Sequence, residues 1–290
     1  MTISRDEWLA GGSRVPVTGT RHTLFVRQDG PADGSPVTLL HGFPTSSHDW
    51  AGITPSLTDA GLTAHRVTTL DFLGFGDSDK PHPYDYTLQE QADLVEAIWK
   101  QSGITSTALV AHDYGVSVAQ ELLARAPERI TSMAWLNGGL FADLHRPTKG
   151  QKLLRGPFGP IVARLFDEGR FAAAIREILG RQVSDEAMHE MWLSTSARKG
   201  VRTSPRMLRY MDERREYAGR WRAAIADYAG PQLFVWGPVD PVSGAHVVPR
   251  IREVAPGAEV VVLDEAPAVG HYPQVEAPEI VGSLLAGFLS

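Results

Sequence analysis

Three residues of this sequence have the types and the order needed for nucleophilic catalysis, and Asp113 is the first of them. It is the centre of Ala111-His-Asp-Tyr-Gly115, which follows an aliphatic run and precedes a helical pattern that ends at Pro127. Small residues two positions before and two after the centre are typical of a nucleophile elbow, a strained strand-to-helix turn. A carboxylate there can attack an electrophilic carbon. Alternatively, Asp113 is an ordinary loop or helix-capping residue.

Asp240 and His271 follow Asp113 in the chain and complete a set of nucleophile, acid and base. Asp240 comes shortly after an aliphatic run at 232–236, and His271 lies in a loop before the last predicted helix. A histidine can activate water as a general base, and a carboxylate can orient its ring and stabilise its charged form. Because a lone Asp or His is usually structural, the prediction depends on all three meeting at one place.

The elements that must bring them together alternate between strands and helices, as in a parallel sheet with helical crossovers. Aliphatic and β-branched runs predict strands at 24–26, 36–40, 65–70, 107–111, 130–136, 232–236 and 259–263. Helical periods predict helices at 53–60, from 88 after the N-cap Thr87, at 247–254 and at 278–289. Chemistry in such a sheet lies at the carboxyl ends of the strands, where His41–Pro44, Asp113, Asp240 and His271 are all expected.

The alternation stops between 138 and 229, where the patterns at 160–166, 171–179, 187–193 and 207–221 are all helical. We therefore predict an α/β core formed by 1–137 and 230–290, with a helical cap inserted at 138–229. Nine arginines lie between Arg181 and Arg222, and we expect them to form a solvated face.

The amino-acid composition excludes or disfavours several classes of function. The chain has 290 residues, 43% of them hydrophobic, and a net charge of −6, which gives no sign of a nucleic-acid or membrane-surface partner. Without cysteine, a thiolate nucleophile and a disulfide framework are excluded. No apolar window suits a signal peptide or a membrane span, so we expect a cytoplasmic protein.

No cofactor or metal is expected. The ten histidines form no recognisable ligand pair, and the glycines at 71–81 lack the following helix that a dinucleotide motif needs. The expected partners are a small apolar substrate and water, and the sequence says nothing about the oligomeric state.

The sequence resembles the α/β-hydrolase superfamily, in particular the epoxide hydrolases and haloalkane dehalogenases, whose nucleophile is an aspartate. The closest resemblance is to the mesoderm-specific transcript family of hydrolases. The segments that carry it are His41-Gly-Phe-Pro-Thr-Ser-Ser-His-Asp-Trp50, Leu70-Asp-Phe-Leu-Gly-Phe-Gly-Asp-Ser-Asp-Lys-Pro81, His112-Asp-Tyr-Gly115, Leu136-Asn-Gly-Gly139, Gly237-Pro-Val-Asp-Pro-Val242 and His271-Tyr-Pro-Gln274. The resemblance implies an α/β-hydrolase core with a helical cap.

These parts predict a two-step mechanism. Asp113 forms an alkyl-enzyme ester, and His271, oriented by Asp240, activates the water that hydrolyses it. The backbone N–H groups of Phe43 and Tyr114 are expected to form the oxyanion hole. His41, Trp50 and His112 are further candidates for contact with the substrate.

Haloalkane dehalogenases and epoxide hydrolases would share this mechanism but differ in the leaving group that the site must stabilise. Dehalogenases of this branch place Trp after the nucleophile, and many also have Asn after the His-Gly pair, whereas this chain has Tyr114 and Phe43 there. An epoxide oxygen instead needs a hydroxyl to protonate it, for which Tyr210 is the first candidate and Tyr217 the second. We therefore predict an epoxide hydrolase, with a haloalkane dehalogenase as the alternative and a non-catalytic ligand-binding protein as a further one. A serine esterase would need Ser at the elbow apex, which Asp113 occupies.

Overall fold

An eight-stranded sheet runs through the centre of the computed structural model, which describes residues 3–58 and 64–290. The strands are β1 (Gly12–Pro16), β2 (Thr23–Asp29), β3 (Ser35–Leu40), β4 (His65–Leu70), β5 (Thr107–Asp113), β6 (Ile130–Gly138), β7 (Gln232–Trp236) and β8 (Glu259–Val262). Their order across the sheet is β1-β2-β4-β3-β5-β6-β7-β8. β2 is antiparallel to both of its neighbours, and all other pairs are parallel.

The central strands are hydrophobic at nearly every position because helices cover both faces of the sheet. All seven residues of β5 are buried, as are the last four of β3. The seven strands predicted from aliphatic runs are confirmed. β1 was not predicted, because its residues Gly-Ser-Arg-Val-Pro are half-exposed at the sheet edge and form no apolar run.

Fourteen α-helices surround the sheet in the described residues. They are α1 (Arg5–Ala10), α2 (Thr54–Thr58), α3 (Leu88–Gln101), α4 (Tyr114–Arg125), α5 (Lys149–Arg155), α6 (Gly159–Arg164), α7 (Glu168–Arg176), α8 (Asp185–Ser196), α9 (Ser204–Met207), α10 (Tyr210–Glu216), α11 (Ala218–Asp227), α12 (Val248–Val254), α13 (Pro273–Glu276) and α14 (Pro278–Leu289). Side chains of α3, α4 and α12 pack on one face of the sheet, and those of α1, α2 and α14 pack on the other.

A local sequence signal accounts for the start of α3, and a second predicted helix is found close to its expected position. The side chain of Thr87 accepts the N–H of Glu90 at 3.1 Å, so this residue is the N-cap of α3 as predicted. The helix predicted at 53–60 is confirmed at Thr54–Thr58, and residues 59 and 60 lie outside the described residues.

The chain between β6 and β7 folds into helices only. Seven α-helices, α5 to α11, and a 3₁₀ helix at Ala197–Thr203 lie in this part, all of which the structure describes. We call residues 149–227 the helical segment. The pattern at 207–221 is divided, since α9 ends at Met207 and α10 and α11 are separated at Tyr217.

The expectation of a solvated arginine face is wrong for one residue. Arg214 is only 2% exposed, while Arg198, Arg209 and Arg215 are exposed as expected. Arg214 shares the inward face of α10 with the buried residues Tyr210 and Met211, one turn apart on the same side of the helix. No helix in the described part of the chain is long and apolar enough to cross a membrane.

Candidate active site

Asp113 lies at the strained turn that its neighbours in the sequence predict. It is the last residue of β5, α4 begins at Tyr114, and its backbone angles are φ 47° and ψ −104°. A residue with a Cβ avoids this region, which costs on the order of 1–3 kcal/mol and is found mostly at functional sites. Gly115 must be small, since a Cβ there would lie 2.5 Å from the carbonyl oxygen of Leu40.

The three predicted catalytic side chains meet at the carboxyl edge of the sheet. His271 Nε2 lies 3.4 Å from Asp113 Oδ2, and His271 Nδ1 lies 2.8 Å from Asp240 Oδ2. Each of the three residues is only 3% exposed. The ring of His271 therefore bridges two carboxylates in a site that is nearly closed to water.

The carboxylate of Asp240 accepts hydrogen bonds from residues that the sequence analysis did not identify. Oδ2 accepts from Asn137 Nδ2 at 3.0 Å and from the Ser243 hydroxyl at 2.7 Å, in addition to His271. Oδ1 accepts the N–H of Val242 at 2.7 Å. Asn137 is the penultimate residue of β6, and it also bonds both backbone groups of Gly237. This network fixes the carboxylate in one orientation.

The two carboxylates and the imidazole stabilise one another as ions. Burial by itself lowers the pKa of His271, but the charge of Asp240 and the hydrogen bond to Asp113 raise it above its ordinary value. Burial raises the pKa of Asp113, but His271 and then Arg214 overcome that effect and hold it well below its usual range. In the resting site, Asp113 is therefore an anion at neutral pH, as a nucleophile must be.

One of the two predicted oxyanion-hole donors contacts Asp113 directly. The backbone N–H of Phe43 donates to Asp113 Oδ1 at 2.8 Å. The glycine before it allows this approach, since a Cβ at Gly42 would lie 2.9 Å from the Cβ of Asp113. Tyr114 is the first residue of α4, where backbone N–H groups have no partner inside the helix. Its role as the second donor stays a prediction.

The loop that carries His271 is held from both the core and the helical segment. The backbone N–H of His271 donates to the carbonyl of Ile178 at 2.9 Å, and His112 Nε2 donates to the carbonyl of His271 at 2.8 Å. The side chain of Glu276 accepts four backbone N–H groups, those of Gly180, Arg181, Gly270 and Tyr272. Glu276 is thus a positioning residue for the base.

His41, Trp50 and His112, which were predicted to contact the substrate, are fully buried. None of the three side chains lines the cavity next to His271. His41 accepts the N–H of Phe72 at 3.1 Å, and burial lowers the pKa of His112 to about 3, so this ring is a neutral donor. Trp50 packs in the core on the face of the sheet that α1, α2 and α14 cover. Contact between these three residues and a substrate stays a prediction.

A cavity of about 80 Å³ lies between the sheet edge and the helical segment. Phe43, Val242 and His271 line it from the core. Leu154, Phe166, Phe171, Ile175 and Val201 line it from the helical segment. A mostly apolar lining with a few polar groups is typical of a site for a small apolar molecule.

The two tyrosines predicted as proton donors differ in their surroundings. Tyr210 is 1% exposed, and its hydroxyl has no hydrogen-bond partner among the described residues. Its ring lies 5.4 Å from that of Tyr114 and 6.4 Å from that of Phe43. Tyr217 is partly exposed and packs on Trp221 at a ring distance of 5.5 Å. Only Tyr210 is placed beside the nucleophile turn.

The model of the α/β-hydrolase fold family matches residues 35–278 of this chain, which is most of its length. The chain belongs to the α/β-hydrolase family. LipZ of Mycobacterium tuberculosis, which is named as a hydrolase, is 39% identical over 280 residues, covering 94% of this chain and 93% of LipZ. The human mesoderm-specific transcript homolog is 37% identical over 298 residues, covering 98% and 87% of the two chains.

Dehalogenases are also among the relatives of this hydrolase. A haloalkane dehalogenase of Bradyrhizobium diazoefficiens is 29% identical over 300 residues, covering 96% of this chain and 93% of its own. The crystal structure of the haloalkane dehalogenase DbeA from Bradyrhizobium elkani has a TM-score of 0.80 at 25% identity, covering 96% and 97% of the two chains. The predicted fold and the predicted family resemblance are confirmed, and the protein is a hydrolase.

Proposed function

We propose that this hydrolase uses Asp113 as its nucleophile and forms an alkyl-enzyme ester. The observation that supports this best is the position of Asp113 at the strained apex, with one carboxylate oxygen 3.4 Å from His271 Nε2 and the other bound to a backbone N–H. No serine or cysteine occupies the apex, so a carboxylate is the nucleophile that the elbow presents.

In the first half-reaction, an oxygen of Asp113 attacks a carbon of the substrate and the bond to the leaving group breaks. His271 then takes a proton from water, and the water oxygen attacks the ester carbonyl. The oxyanion develops on the former carboxylate of Asp113, beside the N–H of Phe43. Asp240 stabilises the imidazolium that forms in this step.

We further propose that the helical segment acts as the cap predicted at 138–229, and that the cavity beneath it receives a small apolar substrate. The apolar lining contributed by Leu154, Phe171 and Ile175 supports this assignment. An apolar enclosure also excludes bulk water from the charged groups, which strengthens their interactions.

The substrate class that we propose is an epoxide. The hydroxyl of Tyr210 is buried, free of any partner among the described residues, and adjacent to Tyr114 at the elbow, so it can protonate an oxygen that leaves a carbon. Tyr217 is partly exposed and is not retained as the donor. Haloalkanes are the second candidate class, because the relatives of this chain include haloalkane dehalogenases.

The experiment that tests this proposal is intact-mass detection of the adduct. In the His271→Gln variant, alkylation continues while hydrolysis stops, so the alkyl-enzyme accumulates. We expect a mass increase equal to a whole epoxide molecule, localised by peptide mapping to Asp113, and little adduct from bromoalkanes. Adducts from bromoalkanes with free bromide, and none from epoxides, would instead assign the protein as a dehalogenase.

A further inference from the structure

Arg214 is a buried cation that forms no salt bridge with a carboxylate of the described residues. Its Nε donates to the Ser117 hydroxyl at 2.7 Å, and one terminal nitrogen, Nη2, donates to the backbone carbonyl of Asp113 at 3.1 Å. The other terminal nitrogen, Nη1, is buried and has no partner in the part of the chain that the structure describes. A buried guanidinium normally pairs with an anion, so this one has unused capacity to bind negative charge.

The unused donors lie next to the proposed proton donor. The guanidinium carbon of Arg214 lies 4.3 Å from the centre of the Tyr210 ring. The hydroxyl of Tyr210 also has no hydrogen-bond partner within residues 3–58 and 64–290. The positive charge of Arg214 opposes the rise that burial causes in the Tyr210 pKa. Both ring nitrogens of His145 are also buried, and neither has a partner in the described part of the chain. Burial and then the charge of Arg214 lower the pKa of that ring to about 3. His145 is therefore neutral, and Arg214 is the cation of this cluster.

The charges in the site balance before the reaction and must be redistributed during it. At rest, the negative charges of Asp113 and Asp240 are offset by the positive charges of His271 and Arg214. Alkylation makes Asp113 a neutral ester and transfers its negative charge to the leaving group. The imidazolium of His271 is already paired with Asp240 at 2.8 Å, which leaves Arg214 to compensate the new anion.

We propose that Nη1 of Arg214 and the hydroxyl of Tyr210 form the anion-binding site of the first half-reaction, so that Arg214 is a further catalytic residue. This inference rests on the proposed function. The carboxylate of Asp113 forms a bond to the epoxide carbon, and the electron pair of the breaking C–O bond passes to the ring oxygen. That oxygen takes the proton of Tyr210, and Arg214 pairs with the phenolate. The phenolate regains a proton from His271 through water, which leaves His271 neutral and ready to act as the base.

The first test compares two arginines of the same helix. In the His271→Gln background, Arg214→Met should slow epoxide alkylation by about 10²–10³-fold, the typical cost of losing one donor to a developing anion. Arg215→Met is the matched control, since the Arg215 side chain is 69% exposed, and it should alkylate at the parent rate. Arg214→Lys should restore part of the rate because it keeps the charge.

The second test does not depend on turnover and separates charge binding from folding. Asp113→Asn has a neutral amide at the position of the carboxylate, and the ester intermediate is neutral there too. This variant should bind bromide saturably in a calorimetric titration at constant ionic strength. Relative to Asp113→Asn, we expect the wild-type protein and the Asp113→Asn/Arg214→Met double variant each to bind bromide at least tenfold more weakly. This is about the effect of removing one charge interaction.

Equal alkylation rates in Arg214→Met and Arg215→Met would overturn this inference and leave the proposed function standing. Bromide binding that is indifferent to Arg214 would also overturn it. Failure of the His271→Gln protein to form any adduct would overturn the proposed function, and with it the role of Arg214.

Discussion

Replacing Asp240 with asparagine removes a charge from the site and keeps the shape of the side chain. Oδ2 of Asp240 accepts from Asn137, Ser243 and His271, and Oδ1 accepts from Val242. An amide has only one acceptor atom, so its nitrogen must face at least one of these four donors. The least costly orientation places the nitrogen opposite the N–H of Val242 and leaves the amide oxygen to the other three.

The stability cost follows from these contacts. The variant loses a charge-assisted hydrogen bond worth about 1.5–3 kcal/mol, and it leaves the buried N–H of Val242 unsatisfied, at about 1–3 kcal/mol. We therefore expect Asp240→Asn to lower the free energy of unfolding at pH 7 by about 2.5–6 kcal/mol. Ser243→Ala removes a single hydroxyl donor to the same carboxylate, so as the matched control it should cost only that hydrogen bond, about 1.5–3 kcal/mol.

The kinetic cost should fall on one half-reaction. Asp240 is the main charge that raises the pKa of His271, so its loss destabilises the imidazolium that forms when water attacks the ester. We expect ester hydrolysis to slow by about 10²–10⁴-fold, the usual contribution of a well-supported general base. Alkylation should change by less than about tenfold, because the carboxylate of Asp113 attacks without help from the base.

Single-turnover quench-flow with intact-mass detection measures the two half-reactions separately, and urea unfolding measures stability. Hydrolysis of the alkyl-enzyme at the wild-type rate in Asp240→Asn would refute the orienting role of Asp240. A Ser243→Ala variant as slow as Asp240→Asn would refute the charge argument, since that change leaves the carboxylate in place.

Three further outcomes follow from the geometry of the site. Tyr210→Phe should slow epoxide alkylation by about 10²–10⁴-fold and leave ester hydrolysis nearly unchanged, while Tyr217→Phe should affect neither; quench-flow of the two variants compares them. The raised pKa of His271 adds stability that is fully present below pH 6.5 and is lost as the pH rises, so the stability gap between wild type and His271→Gln should narrow from pH 6 to pH 10 in urea titrations. Gly115→Ala should lower the unfolding free energy by several kcal/mol in the same assay, because its Cβ would lie 2.5 Å from the carbonyl oxygen of Leu40; an unchanged midpoint would show that the elbow relaxes.

The sheet and the elbow were predictable because their signals are local. β3, β4 and β7 appear in the sequence as short aliphatic runs, and the small residues beside Asp113 reflect a close approach between β5, α4 and β3. The three catalytic candidates followed from chain order and from the rule that places chemistry at the carboxyl ends of strands.

The supporting residues could not be predicted, because their roles depend on contacts between distant parts of the chain. Arg214 belongs to a run of arginines that resembles a solvated face, and only the packing of α10 on the elbow shows that its side chain is buried. Glu276 lies in an unremarkable stretch, and its four backbone partners come from two separate loops. Asn137 is the penultimate residue of an apolar strand, where an isolated amide gives little sign of the carboxylate that it holds.

The central claim is that a covalent ester forms on Asp113, and isotope labelling tests it most directly. With enzyme in excess over an epoxide in ¹⁸O-water, the attacking water oxygen should enter the carboxylate of Asp113, so the first product carries no label from solvent. Peptide mapping by mass spectrometry should then find one ¹⁸O in the peptide that contains Asp113. Label in the product of the first turnover, with Asp113 unlabelled, would contradict the account and make Asp113 a base for direct attack by water.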